Sequence, residues 1–366
     1  MASIAHSDAI HLGMDVHKDS ISCGILRPGD DTPDVEKIFH DEESVRRLIA
    51  RFPEPGLVRV CYEAGPTGYD LHRLVVSLGA RCEVVAPSLI PRAPGDKVKT
   101  DKRDCRRLAR LHRAGELVAI RVPTPLEEAV RDLCRTRGDM VQDLTRARNR
   151  LTKFLLRHGR VWRGGSNWTR DHDQWLNAVR FAEPVLELTY SHYRGVVTTR
   201  DAQLAAVEAD LVPWFDQDPF ADAVHRLGSY RGVTHMGALG LAAEVCDWRR
   251  FARAASLMGF VGLVPSEYSS GGSTHRGRLT KAGNAHVRAQ LIEGAWQYRH
   301  RPHVGPVIAK RHQGVPVDTI ARAWTAQQRL HRRFRLLAER KNNKSVVAAA
   351  VARELAGFLW AEMTSA

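Results

Sequence analysis

Four acidic residues stand where an active site for phosphoryl transfer would need them. Asp15 follows an apolar run in GMDVHKD, and Glu63 follows another in VCYEAGPTG. Asp101 and Asp104, in KTDKRDCRRLA, are three residues apart, so a helix would present both carboxylates on one face. Carboxylates suit Mg²⁺, and two such ions about 3.5–4 Å apart can activate a nucleophile and stabilise a leaving oxygen. These four residues predict a Mg²⁺ site.

Each of these acids also fits a plainer role when it is taken singly. Asp15 and Glu63 are typical of polar strand ends, and Asp101 of an acid that interacts with the positive end of a helix dipole. All four together, with an arginine-rich helix directly after them, favour one shared site beside a sheet. For the other polar residues that border the acids, surface positions are favoured over contacts to phosphate: His17, Lys18, Lys99 and Lys102.

A candidate nucleophile lies in the segment PSEYSSGGSTHRGRLTKAGN. Ser269, Ser270 and Ser273 occupy a glycine-flanked loop just before a basic stretch. A serine hydroxyl is a weak nucleophile until a base, a cation or a metal activates it. Ser-Ser-Gly-Gly is also ordinary loop sequence, and composition alone favours that interpretation.

The elements that would position these groups follow from hydrophobic patterns. In the first hundred residues, strands alternate with helices, which is typical of an α/β layer domain. Residues 10–16 and 20–26 predict a hairpin, residues 57–62 and 81–86 further strands, and residues 42–51, 67–78 and 101–114 helices.

The rest of the chain is predicted to be mostly helical. Residues 125–160 and 179–212 predict an antiparallel coiled-coil arm with a loop at 159–175. Around Gly232, the sequence LGSYRGVTHMGALGLAAEV fits a helix-hairpin-helix element and, equally well, a simple packing corner. We expect three domains: an α/β domain at 1–120, the arm at 121–220 and a mostly α-helical domain with the serine loop at 221–366.

The positive charge of the chain is concentrated in two segments. The 366 residues carry 55 Lys and Arg against 41 Asp and Glu, a net charge of +14 with a pI near 9.9. The net charge is +8 in residues 101–160 and +13 in residues 271–345, so the remainder is mildly acidic. Arginine outnumbers lysine in both segments, and arginine suits phosphate contacts. This distribution predicts a nucleic-acid partner.

Several classes of protein are excluded. No stretch approaches the roughly 18–20 uninterrupted apolar residues that cross a bilayer, and the first residues lack the pattern of a secretory signal. The six cysteines are scattered singly, without a CxxC pair, which argues against a zinc ribbon or a disulfide framework. A reduced, cytoplasmic protein without a membrane partner is expected.

The segments GMDVHK, YEAGPTGY, KTDKRDCRRLA and YSSGG…GRLTKAGNAHVR resemble the DEDD transposases of the insertion-sequence-110 type, relatives of the Piv invertases. They occur in order over nearly the whole chain. The resemblance implies a ribonuclease-H/RuvC-like domain in which Asp15, Glu63, Asp101 and Asp104 bind Mg²⁺. It also implies that a serine supplies a covalent nucleophile to DNA; Ser270 is the match, with Ser269 as its competitor.

The same resemblance implies that the nucleic-acid partner includes donor and target DNA. It also implies two partners that no residue pattern shows: a structured guide RNA encoded by the element, and further copies of the chain in a dimer or tetramer. From the residues themselves, four bases that follow the serine loop without acids between them are candidates for contacting nucleic acid: Arg276, Arg278, Lys281 and Arg288.

Three alternatives to such a recombinase stay open at this point. One is a site-specific DNA invertase that uses no RNA guide. Another is a nuclease of the RuvC or ribonuclease-H type, in which water attacks and the serine is idle. The third is a nucleic-acid-binding protein without catalysis.

Overall fold

The computed structural model describes residues 8–91, 100–268, 272–273 and 275–365. The chain divides into two units, Met1–Pro123 and Thr124–Ala366. The first is a mixed α/β unit and the second is mostly helical, which confirms the broad fold class predicted from the sequence. Among the described residues, no helix combines the length and the apolar character that crossing a bilayer requires.

The first unit is built on one mixed sheet. Its five strands are β1 (Ile10–Val16), β2 (Ser20–Leu26), β3 (Asp34–Phe39), β4 (Val58–Glu63) and β5 (Arg81–Val85). Their order in the sheet is β3-β2-β1-β4-β5; β1, β2 and β3 pair antiparallel, whereas β4 pairs parallel with both β1 and β5. Three helices follow the strands: α1 (Glu42–Ala50), α2 (Asp70–Ser77) and α3 (Asp101–Arg113).

Alternation along β1 sends its side chains into two different layers. Leu12 and Met14 are fully buried in a core that includes residues of α1 and α2. Gly13 faces the other layer, where α3 packs, and Asp15 follows on the same face because side chains alternate along a strand. The carboxyl end of β1 therefore presents Asp15 to α3.

The helix α3 lies so close to β1 and β2 that two positions beneath it accept only glycine. Gly13 and Gly24 face each other in the antiparallel pair. A Cβ atom at Gly13 would lie 2.3 Å from the backbone nitrogen of Ala109, and a Cβ atom at Gly24 would lie 2.6 Å from the carbonyl oxygen of Cys105. Any side chain at these positions would have to displace the helix.

The predicted elements of this unit are confirmed within a few residues at their ends, and one strand was missed. β3 has the sequence DVEKIF and forms an edge of the sheet, with every residue partly or fully exposed. It offers neither a buried apolar run nor a clean alternation of apolar and polar residues, which are the two signals that identify strands.

The second unit contains ten helices and a two-stranded sheet in the part of the chain that the structure describes. The helices are α4 (Pro125–Arg157), α5 (Arg170–Ala178), α6 (Pro184–Leu211), α7 (Ala221–Gly228), α8 (His235–Val245), α9 (Ala254–Phe260), α10 (Ala285–Ala295), α11 (Pro306–Arg311), α12 (Val317–Arg340) and α13 (Lys344–Thr364). The strands β6 (Pro265–Glu267) and β7 (Arg276–Leu279) pair antiparallel.

The two long helices α4 and α6 pack against each other, and the segment between them corrects the sequence-based prediction. Residues 159–175 were expected to be a loop, but the chain is helical from Arg170 onward. Thr169 caps this helix by accepting a hydrogen bond of 3.3 Å from the backbone N–H of His172. Leu176, on the inner face of the helix, is buried. The arm as a regular coiled coil stays a prediction.

Close packing explains why the turn between α7 and α8 carries a glycine. Gly232 has a φ of +85°, and a Cβ atom there would lie 2.2 Å from the carbonyl oxygen of Gly294 in α10. Contact between the two backbones is a sufficient reason for glycine at this position. The helix-hairpin-helix interpretation of this turn stays a prediction.

A fully buried carboxylate connects three helices of the second unit. Glu362 accepts hydrogen bonds from Arg226 at 3.0 Å, Arg322 at 2.6 Å, Thr319 at 2.8 Å and Tyr230 at 3.0 Å. Burial alone would raise the pKa of Glu362, but these hydrogen bonds lower it to about 2. Both arginines therefore direct hydrogen-bond donors to a partner inside the protein.

We expect Gly24→Ala to destabilise the first unit by about 2–3 kcal/mol, because the added methyl group overpacks the contact with α3. Gly56→Ala is the matched control, since nothing lies within 4 Å of a Cβ atom there. Urea denaturation monitored by circular dichroism measures both variants. Equal midpoints for Gly24→Ala and the unsubstituted chain would contradict the close packing of α3.

Candidate active site

Three side chains that can hold a metal ion meet where β1 ends and α3 begins. The Nε2 atom of His17 lies 3.3 Å from Oδ2 of Asp15 and 3.5 Å from Oδ1 of Asp101. One ligand atom from each residue lies within 4.8 Å of those of the other two. The structure thus brings together two of the four predicted acids and adds a histidine for which the sequence favoured a plain surface position.

The first turn of α3 carries the predicted pair of acids. Thr100 caps the helix, and its hydroxyl faces the backbone N–H of Arg103. Asp101 and Asp104 both lie in the first turn, where negative charge is favourable to the helix dipole. Because they are three residues apart, their carboxylates lie on one face of the helix.

Asp104 has an unsatisfied oxygen in the interior. Its side chain is 13% exposed, and Oδ1 forms an ion pair of 3.2 Å with a guanidinium nitrogen of Arg107. Oδ2 is buried and has no hydrogen-bond partner among the described residues. A buried polar atom without a partner is rare in native structures and is often explained by an ion or a water molecule. The donor set around Asp104 therefore fits a cation.

The electrostatics at Asp15 point the same way. Its pKa is raised above the ordinary value, first by burial and then by the nearby charges of Asp101 and Asp104. His17 opposes this shift, both through its charge and through a hydrogen bond. Three carboxylates thus repel one another, His17 and Arg107 offset only part of this repulsion, and a bound cation would relieve it further.

Glu63 lies beside this cluster but is not part of its closest group. Met14 of β1 pairs with Tyr62 of β4, so Asp15 and Glu63 come next on adjacent parallel strands and share a face. Glu63 is exposed, and the described residues include it in no group of ligand atoms within 4.8 Å. The strand register accounts for its place at the edge of the site.

The loop of the candidate nucleophile lies between β6 and β7 in the second unit. Ser269, Ser270 and Gly271 lie outside the described residues, as does Lys99. The strands on either side are short; β6 is partly exposed and β7 is mostly exposed.

The four bases predicted to contact nucleic acid divide into two kinds. Arg278 and Lys281 have exposed side chains. Arg276 lies 3.6 Å from the carboxylate of Glu267 across the hairpin, so this base does have an acidic partner. Arg288 donates a hydrogen bond of 2.9 Å to the carbonyl oxygen of Val261, which ties α10 to the end of α9.

A buried network that the sequence did not reveal holds the segment after β7. The side chain of Glu244 in α8 accepts hydrogen bonds of 2.7 Å from both Arg135 and Asn284. Asn284 also caps α10 by accepting a hydrogen bond from the backbone N–H of Val287. Burial would raise the pKa of Glu244, but its hydrogen bonds with Arg135 and Asn284 lower it. The partners are up to 149 positions apart in the chain, so no local pattern could identify them.

Two family models match this chain. The model of the DEDD transposase of the IS110 type matches residues 12–159, which include all four predicted acids. The model described as the transposase IS116/IS110/IS902 family matches residues 224–312, which include the serine loop and the four bases after it. The DEDD domain indicates divalent-metal chemistry.

Curated relatives extend this similarity over most of the chain. The y4qE protein of Sinorhizobium fredii is 44% identical over 87% of this chain and 77% of its own length. The transposase for insertion sequence element IS1533 of Leptospira borgpetersenii is 33% identical over 90% of this chain and 96% of its own length. The transposase for insertion sequence element IS1111A of Coxiella burnetii is 24% identical over 78% and 76%, respectively.

We expect Mg²⁺ or Mn²⁺ to raise the melting temperature of the protein. Asp15→Asn should need at least about tenfold more metal for the same rise. Without metal, Asp15→Asn should melt at the same or a higher temperature, because the repulsion among the acids is reduced. Asp19→Asn is the matched control, an exposed acid of the adjacent turn. Equal metal responses in both variants, read by differential scanning fluorimetry, would contradict a site at Asp15.

Proposed function

The chain belongs to the IS116/IS110/IS902 family of transposases, enzymes that cleave and rejoin DNA, and from this premise we propose that Asp15, Glu63, Asp101 and Asp104 form its Mg²⁺ site. The observation that supports this most directly is the unsatisfied buried oxygen of Asp104 beside the Asp15–His17–Asp101 cluster. Carboxylate and imidazole ligands suit divalent cations of this kind.

Each residue of the site has a separate task in this proposal. Mg²⁺, when bound, would neutralise charge on the scissile phosphate and stabilise the leaving oxygen. Asp15 and Asp104, which are partly buried, would hold it from the strand and the helix. Asp101 and Glu63, which are more exposed, would bind from the side that DNA approaches. His17 would act as a further ligand or orient the two carboxylates that it contacts.

We further propose that Ser270 is the nucleophile. Its hydroxyl oxygen would lose a proton and attack the scissile phosphorus, and the bond from phosphorus to a deoxyribose oxygen would break as that oxygen takes up a proton. The product is a phosphodiester between Ser270 and one DNA end. A hydroxyl of the partner strand would then attack the same phosphorus, release the serine and rejoin the DNA. Support comes from the match of this segment to the family.

We also propose the nucleic-acid partners, the oligomeric state and the helical arm that the sequence predicts. The chain would act on donor and target DNA with a guide RNA encoded by the element, as a dimer or tetramer. The packed pair of α4 and α6 supports the proposed helical arm. The exposed side chains of Arg278 and Lys281 support contacts with DNA near the serine loop.

We expect Asp15→Asn to reduce strand cleavage about 10²–10³-fold or more, because charge stabilisation in the transition state is lost. Ser270→Ala should abolish the covalent protein–DNA adduct, whereas Ser269→Ala should keep it. The measurement uses a plasmid that carries the native element end, with cleavage followed on agarose and the adduct on a denaturing protein gel.

The outcomes of this experiment separate the alternatives. Cleavage by Ser270→Ala at an unchanged rate would show that water attacks, as in a RuvC-type nuclease. An adduct that Ser269→Ala lacks and Ser270→Ala retains would move the nucleophile by one residue. Full cleavage by Asp15→Asn would contradict the metal site.

We expect one abundant structured RNA to copurify with the protein when it is expressed beside its native flanking DNA. Sequencing of the bound nucleic acid measures this, and expression without the flanking DNA is the control. Purified protein that recombines DNA without any such RNA would support a site-specific invertase and contradict the guide.

A further inference from the structure

A groove lined with arginine lies where α12 and α13 meet in the second unit. Its volume is about 660 Å³. We call it the arginine groove, and its lining consists of Arg329, Arg332, Arg333, Arg353, Glu354, Met258, Leu336 and Ala350. Four arginines and one glutamate thus line the groove.

The single carboxylate does not neutralise this charge. Glu354 lies 2.7 Å from Nε of Arg329 and 3.9 Å from Nε of Arg333, so two arginines share it. Arg332 and Arg353 have no hydrogen bond or ion pair with any residue that the structure describes. Two guanidinium groups are therefore available to an anion from outside the chain.

The geometry favours a ligand that comes from solvent. The side chains of Arg329 and Arg333 are 67% and 53% exposed, whereas that of Glu354 is 24% exposed. Four arginines with one glutamate leave the groove with a net positive charge, which attracts an anion. The guanidinium group binds phosphate through two parallel hydrogen bonds, which makes arginine the residue suited to such an anion.

The charged surface is longer than one phosphate group. A second groove of about 500 Å³ lies along α12, shares Arg332 and Leu336 with the first, and adds His331 and the ion pair of Arg335 with Glu339 at 4.0 Å. Its lining reaches from Gln328 to Glu339 along the helix, about 16 Å at 1.5 Å per residue. That length corresponds to about five nucleotides of one strand at 3.4 Å each. A polymer of phosphates fits this surface better than a mononucleotide.

We propose that the arginine groove, whose residues belong neither to the acidic cluster nor to the predicted serine loop, binds the phosphodiester backbone of a nucleic-acid strand. The proposal rests on the proposed function in taking nucleic acid as the polyanion. Arg332 and Arg353 contact phosphate, and Met258, Leu336 and Ala350 give the sugars an apolar surface to lie against. Arg353 was outside both basic segments of the sequence, and only the packing of α13 on α12 brings it here.

The test is the salt dependence of binding, measured by fluorescence anisotropy with labelled single-stranded DNA, duplex DNA and RNA of equal length. Asp15→Asn is included in every protein so that cleavage does not interfere. Arg332→Ala with Arg353→Ala should weaken binding about tenfold or more, and it should reduce the slope of log affinity against log salt by about 1.4–1.8, for two phosphate contacts. Arg332→Lys with Arg353→Lys should restore most of the slope.

The matched control is Arg46→Ala with Arg47→Ala, which removes the same charge from the exposed face of α1. A loss confined to RNA or to DNA identifies the natural strand and supports the groove in either case. A slope equal to that of the control would overturn the proposal, and so would variants that lose affinity for polyglutamate but not for nucleic acid. Because only binding is measured, a failure of the acids or of Ser270 in cleavage would leave this result unaffected.

Discussion

The contact of α3 with the glycine pair of β1 and β2 is the constraint on which the acidic cluster depends. Gly13 and Gly24 let the backbone at Cys105 approach the sheet at a distance that no side chain allows. The first turn of the same helix carries Asp101 and Asp104, one turn or less before that contact. A longer distance between helix and sheet would separate these acids from Asp15, which is fixed on the strand. The two glycines are thus as necessary to the site as the carboxylates.

This arrangement has an electrostatic cost that the fold does not itself remove. Asp15, Asp101 and Asp104 act on one another, and the pKa of Asp15 is raised, first by burial. His17 offsets part of the repulsion, and Arg107 engages only one oxygen of Asp104. Carboxylates of like charge held this close are unfavourable for folding, since their pairing with His17 and Arg107 offsets only part of the repulsion. The persistence of this cluster on rigid elements is better explained by a cation that binds there than by folding.

Most strands and helices could be predicted from the sequence, and there are physical reasons why the other features could not. Strands and helices with a buried face carry a periodic signal, which is why the β1–β2 hairpin and α3 were identified within a residue or two. The edge strand β3 buries little and carries no such signal. Distances across the site depend on register and on helix packing, so the contact of His17 with Asp101 and the outer position of Glu63 could not be derived from spacing.

A count of charges does not show which basic residues have interior partners and which stay exposed. Residues 271–345 have a net charge of +13, yet Arg322 is bound to the buried Glu362 and Arg311 donates a hydrogen bond to the carbonyl oxygen of Gly228. Burial lowers the pKa of Arg311, as expected for a charge held inside the protein. An arginine whose donors are partly taken up by interior partners has fewer left for phosphate. The proposed nucleic-acid surface therefore uses arginines that remain exposed, and four of those in α12 and α13 line one groove.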